Sequence, residues 1–78
     1  MANIIIYSTP SCVYCKMAKK FLTEHSIAYT EHNVQDDMQA QQEMIAKSNQ
    51  LGVPVIDIDG EIYVGFDQKA IAAKLGIA

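Results

Sequence analysis

The chain has 78 residues, half of them apolar and 19% charged, with a formal net charge of −3. This length suits one small domain near the lower limit for a self-sufficient hydrophobic core, and the apolar content argues against intrinsic disorder. The negative net charge does not indicate the positively charged surface that binds nucleic acid or an anionic membrane. We therefore predict a single domain over residues 1–78 that binds neither nucleic acid nor membrane.

The cysteine count and the N-terminus suggest the cellular compartment. No segment is long enough to span a bilayer, and the first apolar run lacks the basic flank and the length of a signal peptide. Two cysteines are too few for the disulfide framework of a small secreted domain. We expect a cytoplasmic protein whose cysteines are reactive or bind metal.

The N-terminal part of the chain predicts a strand followed by a helix. Residues 3–8 form a β-rich apolar run, which indicates a buried strand. The polar residues 8–11 then offer the chemistry of a helix start. A helix is predicted over residues 13–25, where apolar side chains recur at a spacing of four: Met17 and Ala18, then Phe21 and Leu22.

A second strand and a second helix follow. Residues 27–34 alternate weakly, which suits a strand at the edge of a sheet. Asp36 and Asp37 open a helix predicted over 36–48, where carboxylates meet the positive end of the helix dipole. We expect its buried anchors to be three apolar side chains: Met38, Met44 and Ile45.

The strongest short-range signal is a hairpin. Asp59-Gly60 lies between two β-rich runs, 53–58 and 61–64. This turn would place apolar side chains on both faces of the hairpin: Val55, Ile62 and Val64 on one, and Ile56, Ile58 and Tyr63 on the other. Helices should therefore cover both sides of the sheet.

The last helix is predicted over residues 67–75, with Gly76 just past its end. Its inward side chains would be Ile71, Ala72 and Leu75. The element order is β-α-β-α-β-β-α, and its first β-α-β unit requires a right-handed parallel crossover. We predict an α/β fold with a four-stranded mixed sheet between helices.

Cys12 and Cys15 stand between the first strand and the first helix, and a CxxC pair in a βαβ setting is typical of thioredoxin-like redox motifs. At the helix N-terminus, unpaired N–H groups and the dipole would favour a thiolate at Cys12, the species that attacks disulfides. Cys15, one turn on, would be more buried and close enough to join it. Cys12 should attack and Cys15 resolve. The alternative is a pair of structural cysteines or an accidental spacing.

A metal site would need other ligands. His25 and His32 are the only histidines, and the arrangement C-x2-C-x9-H-x6-H misses zinc-finger spacing. We predict no metal site.

Two further segments are candidates for binding. Pro54 starts a strand and lacks the N–H that a ladder would use, so Val53-Pro54 is either a binding element or a plain strand start. Asp67 can cap the last helix, whose N-terminus could hold a carboxylate or a peptide backbone. The alternative for Gly65-Phe66-Asp67 is a simple cap with Phe66 in the core.

Taken together, the chain resembles the glutaredoxin family over nearly its whole length. The segments that carry the resemblance are 7–15, 52–54 and 64–67. It implies a thioredoxin-like fold and a thiol–disulfide oxidoreductase in which Cys12 is the nucleophile and Cys15 the resolving thiol. It also implies a cis Pro54 beside the cysteines, a Val53 backbone that pairs with the bound thiol substrate, and Tyr14 flanking the cleft.

The chain departs from the family where glutathione would bind. Val13 replaces a proline, residues 9–11 lack the usual basic side chain, and Leu51 and Gly52 replace an arginine and a threonine. The glutathione clamp is present only in part, over residues 64–68. Each lost charged hydrogen bond should cost about 1–3 kcal/mol of glutathione binding.

Gly65-Phe66 is closer to small glutaredoxin-like redoxins that serve ribonucleotide reductase and draw electrons from thioredoxin reductase. The resemblance thus implies no resident cofactor, either glutathione or a thioredoxin reductase as donor, and protein disulfides or glutathione mixed disulfides as substrates. It implies a monomer. An alternative function, suggested by the lost proline at Val13, is a dimer that bridges an iron–sulfur cluster, although Cys15 is not needed for that role.

Overall fold

Seven elements follow one another in the predicted order. The computed structural model describes residues 3–50 and 52–77. Its strands and helices are β1 (Ile4–Ser8), α1 (Val13–Glu24), β2 (Thr30–Asn33), α2 (Met38–Ser48), β3 (Val55–Ile58), β4 (Glu61–Val64) and α3 (Gln68–Leu75).

The four strands form one mixed sheet in the order β2-β1-β3-β4. β1 pairs in parallel with β2, while β3 pairs antiparallel with both β1 and β4. β2 lies at an edge, as its weak alternation predicts. β1 lies inside the sheet, so the loop after it starts from a strand that is paired on both sides.

Both faces of the sheet are buried, which confirms the prediction from the hairpin pattern. On one face, sheet residues pack against α1 and α3; this core consists of Ile4, Ile6, Ile56, Ile58, Ala18, Phe21, Leu22 and Ile71. On the other face, sheet residues pack against α2; this core consists of Tyr7, Val55, Val34, Ala40 and Met44.

The hairpin turn is Asp59-Gly60. Both residues have positive φ, 52° and 90°, which a two-residue turn of type I′ requires. The resulting register pairs Val55 with Val64 and so places both on one face of the hairpin, as predicted. The Asp57 carboxylate also accepts the Gly60 N–H at 2.7 Å and so fixes the turn from within β3.

Three local predictions are wrong, one of them being Ile45 as a buried anchor of α2, since Ile45 is only half-buried. The second strand begins at Thr30, because its pairing with β1 starts at Ile5 and leaves residues 27–29 without a strand partner. Met38 is 68% exposed. As the first residue after the N-cap of α2, it faces solvent, while Ala40 and Met44, one turn apart, carry the contact with the sheet.

Polar side chains fasten α2 to the sheet. Lys47 Nζ donates hydrogen bonds to Asp57 Oδ2 at 2.8 Å and to the Tyr7 hydroxyl at 2.7 Å. Burial alone would lower the pKa of Lys47, but the hydrogen bonds with Asp57 and Tyr7 outweigh it and raise the pKa above its usual value. Lys47 therefore stays charged where it crosses the edge of the core.

A second polar cluster fastens α1 to β2. Lys19 Nζ lies 2.7 Å from Glu31 Oε2, and the buried Ser8 hydroxyl donates to the same oxygen at 2.7 Å. The Lys19 hydrogen bond, followed by that of Ser8, holds the pKa of Glu31 below its usual range. A carboxylate with a depressed pKa stabilises the fold above its unfolded-state pKa, and this contribution is lost as pH falls through the folded-state value.

Glu31→Gln should therefore lower the free energy of unfolding at pH 7 by about 0.5–1 kcal/mol, a value kept small because solvent screens the partly exposed pair. The deficit should shrink as pH falls below about 4.3, the ordinary pKa of a glutamate, because the native carboxyl is progressively protonated. Urea denaturation at pH 7 and at a pH well below that value measures it, with the exposed Glu24→Gln as control. A deficit that is the same at both pH values would show that the charge of Glu31 is not its source.

Candidate active site

Cys12 is the N-cap of α1. Its backbone is extended (φ −83°, ψ 115°), and its Sγ accepts the backbone N–H of Cys15 at 3.1 Å. Its own N–H donates to the Thr9 carbonyl at 3.3 Å, which closes the loop after β1. One of the N–H groups that every helix leaves unpaired thus points at sulfur. The first turn of α1 carries no acidic side chain that would oppose a thiolate there.

The two cysteines differ sharply in exposure. They are joined as a disulfide with a Cα–Cα distance of 5.2 Å, inside the usual range. Cys15 is completely buried, whereas Cys12 is partly exposed. An external thiol or disulfide can therefore reach only Cys12.

The lysines that follow the cysteines differ from one another. Lys16 is exposed. The Lys19 side chain is bound to Glu31 and is only 27% exposed. Its charge is compensated, so it adds little positive potential at Cys12.

A cleft lies between the start of β3 and Tyr14, which follows Cys12 by two residues. The Val53–Pro54 peptide bond is cis, and the Pro54 carbonyl accepts the Gly65 N–H at 2.8 Å. This bond brings the start of β3 against the end of β4. The cleft measures about 350 Å³ and is lined by Tyr14, Val53, Pro54, Val64, Gly65, Phe66 and Asp67.

The structure brings together all six residues that the sequence suggested for substrate binding. Val64, which also lines the cleft, belongs to the clamp segment 64–68 but was not proposed as a binding residue. The local sequence of β4 does not reveal that β4 is an edge strand or that the Val64 side chain is 55% exposed.

The segment before α3 both caps that helix and lines the cleft. The Asp67 carboxylate accepts the Ala70 N–H at 3.1 Å and caps α3, yet it also lines the cleft. The Phe66 ring packs against Phe21 with 5.8 Å between centroids, yet its other side faces the cleft. Gly65 has φ 81° and open space around it, so the backbone conformation, not crowding, requires glycine there.

The cleft carries little charge. Among its lining residues in the described part of the chain, Asp67 is the only charged one. Residues 9–11 are uncharged as well, and Leu51 lies outside the described residues. Within 3–50 and 52–77, no group of three or more His, Cys, Asp or Glu side chains is arranged to hold a metal ion. No helix in these ranges is long and apolar enough to cross a membrane.

A glutaredoxin family model matches residues 4–63. The chain belongs to the glutaredoxin family. A glutaredoxin-like 8.6 kDa protein of a Clostridium pasteurianum rubredoxin operon, described as uncharacterized, is 50% identical over 68 residues, which cover 87% of this chain and 91% of that protein. The glutaredoxin-like protein NrdH of Lactococcus lactis subsp. cremoris is 36% identical (88% and 94% covered), and Escherichia coli glutaredoxin 3 is 34% identical (99% and 94% covered).

Structural comparison agrees with this assignment. The crystal structure of a mutant of the thioredoxin-like protein BC3987 superposes with a TM-score of 0.92 at 31% identity, covering 100% of both chains. The fold is thus thioredoxin-like, as the family resemblance implies. With its Cys12–Cys15 pair, this glutaredoxin is a dithiol–disulfide oxidoreductase. No observation favours the iron–sulfur alternative.

The capping role of Asp67 is tested by two substitutions. Asp67→Ala removes the cap of α3 and should cost about 1 kcal/mol of unfolding free energy, whereas Asp67→Asn keeps a capping oxygen and should cost only a few tenths. Urea denaturation of both variants checks this. If Asn destabilises as much as Ala, the charge of Asp67 matters more than its hydrogen bond to Ala70.

Proposed function

We propose that this glutaredoxin reduces disulfides by a two-cysteine mechanism in which Cys12 attacks and Cys15 resolves. The observation that supports it most is the Cys15 N–H directed at Cys12 Sγ, combined with the complete burial of Cys15. In the reduced protein, the same N–H and the helix dipole would favour a thiolate at Cys12.

The exchange balances as two displacements. The Cys12 thiolate attacks one sulfur of the substrate disulfide, which forms a mixed disulfide and releases the first substrate thiolate. The Cys15 thiolate then attacks Cys12 Sγ, which forms the Cys12–Cys15 disulfide and releases the second. Two electrons thereby pass from the protein to the substrate. A donor must then reduce the Cys12–Cys15 disulfide by the same two displacements in reverse.

The cleft supports binding of an extended chain. Val53 precedes the first ladder pair of β3, Tyr7 with Val55, and so lies outside the strand ladder. A substrate segment could pair with its backbone as an added strand, while Tyr14, Phe66 and Pro54 contact its side chains. On this proposal the protein acts as a monomer.

Replacing each cysteine tests the assigned roles. Cys12→Ser should abolish all exchange, because the accessible sulfur is gone. Cys15→Ser should stop turnover of protein disulfides and trap a mixed disulfide on Cys12 that mass spectrometry detects, yet keep reduction of glutathione mixed disulfides. An active Cys12→Ser protein, with Cys15→Ser inactive in every assay, would reverse the assignment.

We infer that a protein of the thioredoxin reductase class is a better electron donor than glutathione. Glutathione carries two carboxylates, and among the described residues the only charged side chain that lines the cleft is the carboxylate of Asp67. No cationic side chain in that lining offsets the desolvation of the two carboxylates. Glutathione remains the alternative, because relatives named glutaredoxin are as similar as those named NrdH. On this proposal the substrates are protein disulfides, for which ribonucleotide reductase is one candidate, and the compartment is the cytoplasm.

The donor inference is tested by comparing NADPH-coupled turnover with thioredoxin reductase against turnover with glutathione and glutathione reductase. We expect faster turnover with the former. Thr9→Lys, which adds a cation just before Cys12, should lower the KM for glutathione by about fivefold, the upper value of one exposed ion pair. Thr9→Gln is the uncharged control.

Saturable turnover by millimolar glutathione at the rate seen with the reductase would overturn the donor inference. The two-cysteine mechanism would be untouched by that result.

A further inference from the structure

A second groove begins where the cleft ends. It lies between α1 and the start of α3, measures about 220 Å³ and is lined by Met17, Lys20, Phe21, Glu24, Phe66 and Gln68. Phe66 belongs to both cavities and forms the ridge between them. The surface that a substrate meets near Cys12 therefore continues past Phe66.

One stripe of α1 leads from Cys12 along this groove. Val13, Met17, Lys20 and Glu24 follow a spacing of four, three and four residues, which places them on one face of the helix. Val13 is 65% and Met17 47% exposed, and Lys20 and Glu24 are exposed too. Neither charge forms an ion pair with any residue in the described ranges. With distance from Cys12, the stripe is apolar, then cationic, then anionic.

We propose that this stripe binds the segment of a protein partner that flanks its reactive disulfide, with an apolar side chain over Val13 and Met17 and a carboxylate at Lys20. The inference rests on the proposed function and names the partner that the function leaves open. A second copy of this chain and glutathione are the competing occupants.

The distances set the register of that partner. A rise of 1.5 Å per residue puts Lys20 about 12 Å along α1 from Cys12. An extended chain covers about 3.3–3.6 Å per residue, so the carboxylate should stand three or four residues from the partner's cysteine. Glutathione has one residue on each side of its cysteine, so it reaches less far along α1 than a longer peptide does. Glu24, farther along, would repel a carboxylate placed too far out.

Matched peptides test the charge preference. The substrates are peptides whose cysteine is disulfide-bonded to 2-mercaptoethanol, with leucine beside it and either Glu or Lys four residues away, made in both chain directions. For one of the two chain directions, kcat/KM at low salt should be about fivefold higher for the Glu peptide than for the Lys peptide. This factor corresponds to the upper value for the free energy of one exposed ion pair. The preference should shrink in 1 M salt, where the screening length is about 3 Å.

Variants assign the preference to Lys20. Lys20→Glu should reverse it, whereas Lys74→Glu, the same charge change at the far end of α3, should leave it as it is. Met17→Gln should lower kcat/KM for the leucine peptides more than for alanine versions. No preference in either direction, or a preference that Lys20→Glu leaves intact, overturns the inference.

Two further readouts separate the competing explanations. If bis(2-hydroxyethyl) disulfide is not reduced by the parent protein, the proposed function fails before the groove is tested. If sedimentation shows a dimer that Lys20→Glu dissociates, the stripe is a contact between copies and the inference is wrong.

Discussion

The hydrogen bond from the Cys15 backbone N–H to Cys12 Sγ joins the fold to the chemistry. The other two helices are capped in the usual way, by the carboxylates of Asp37 and Asp67. α1 is capped by sulfur, which accepts hydrogen bonds weakly as a thiol or disulfide and far better as a thiolate. The cap of α1 is therefore strongest in the state that attacks a disulfide, so helix stability and nucleophile activation favour the same state.

This cap depends on where α1 begins, and the sheet determines that position. β1 is paired on both sides and covered on both faces, so the loop from Thr9 to Cys12 starts from a rigid strand end. The Lys19–Glu31 pair holds α1 against β2. The hydrogen bond between Pro54 and Gly65 holds the opposite wall of the cleft in place. The wall of the cleft on α1 and the wall formed by β3 and β4 are thus held in place by separate contacts.

Much of this arrangement follows from local sequence signals. Asp59-Gly60 defines its own turn, and an apolar run followed by a helix start defines the position of Cys12, so element order and cysteine placement could be predicted. The start of β2, the exposure of Met38, the partner of Lys19 and the role of Val64 could not. Each depends on which strand lies beside which, and contacts between distant segments leave no periodic signal in the chain.

The reaction and the choice of partner are governed by different parts of this molecule. Exchange at Cys12 requires a cap, a buried second sulfur and an open approach, and all three are set by backbone geometry around α1. Affinity for a particular thiol depends on side chains that line the cleft, and here these are mostly apolar. The absence of charged clamps in this apolar lining therefore leaves the nucleophile intact while weakening the basis for binding an anionic tripeptide. Since apolar contact energy grows with buried area, such a surface favours partners large enough to cover it.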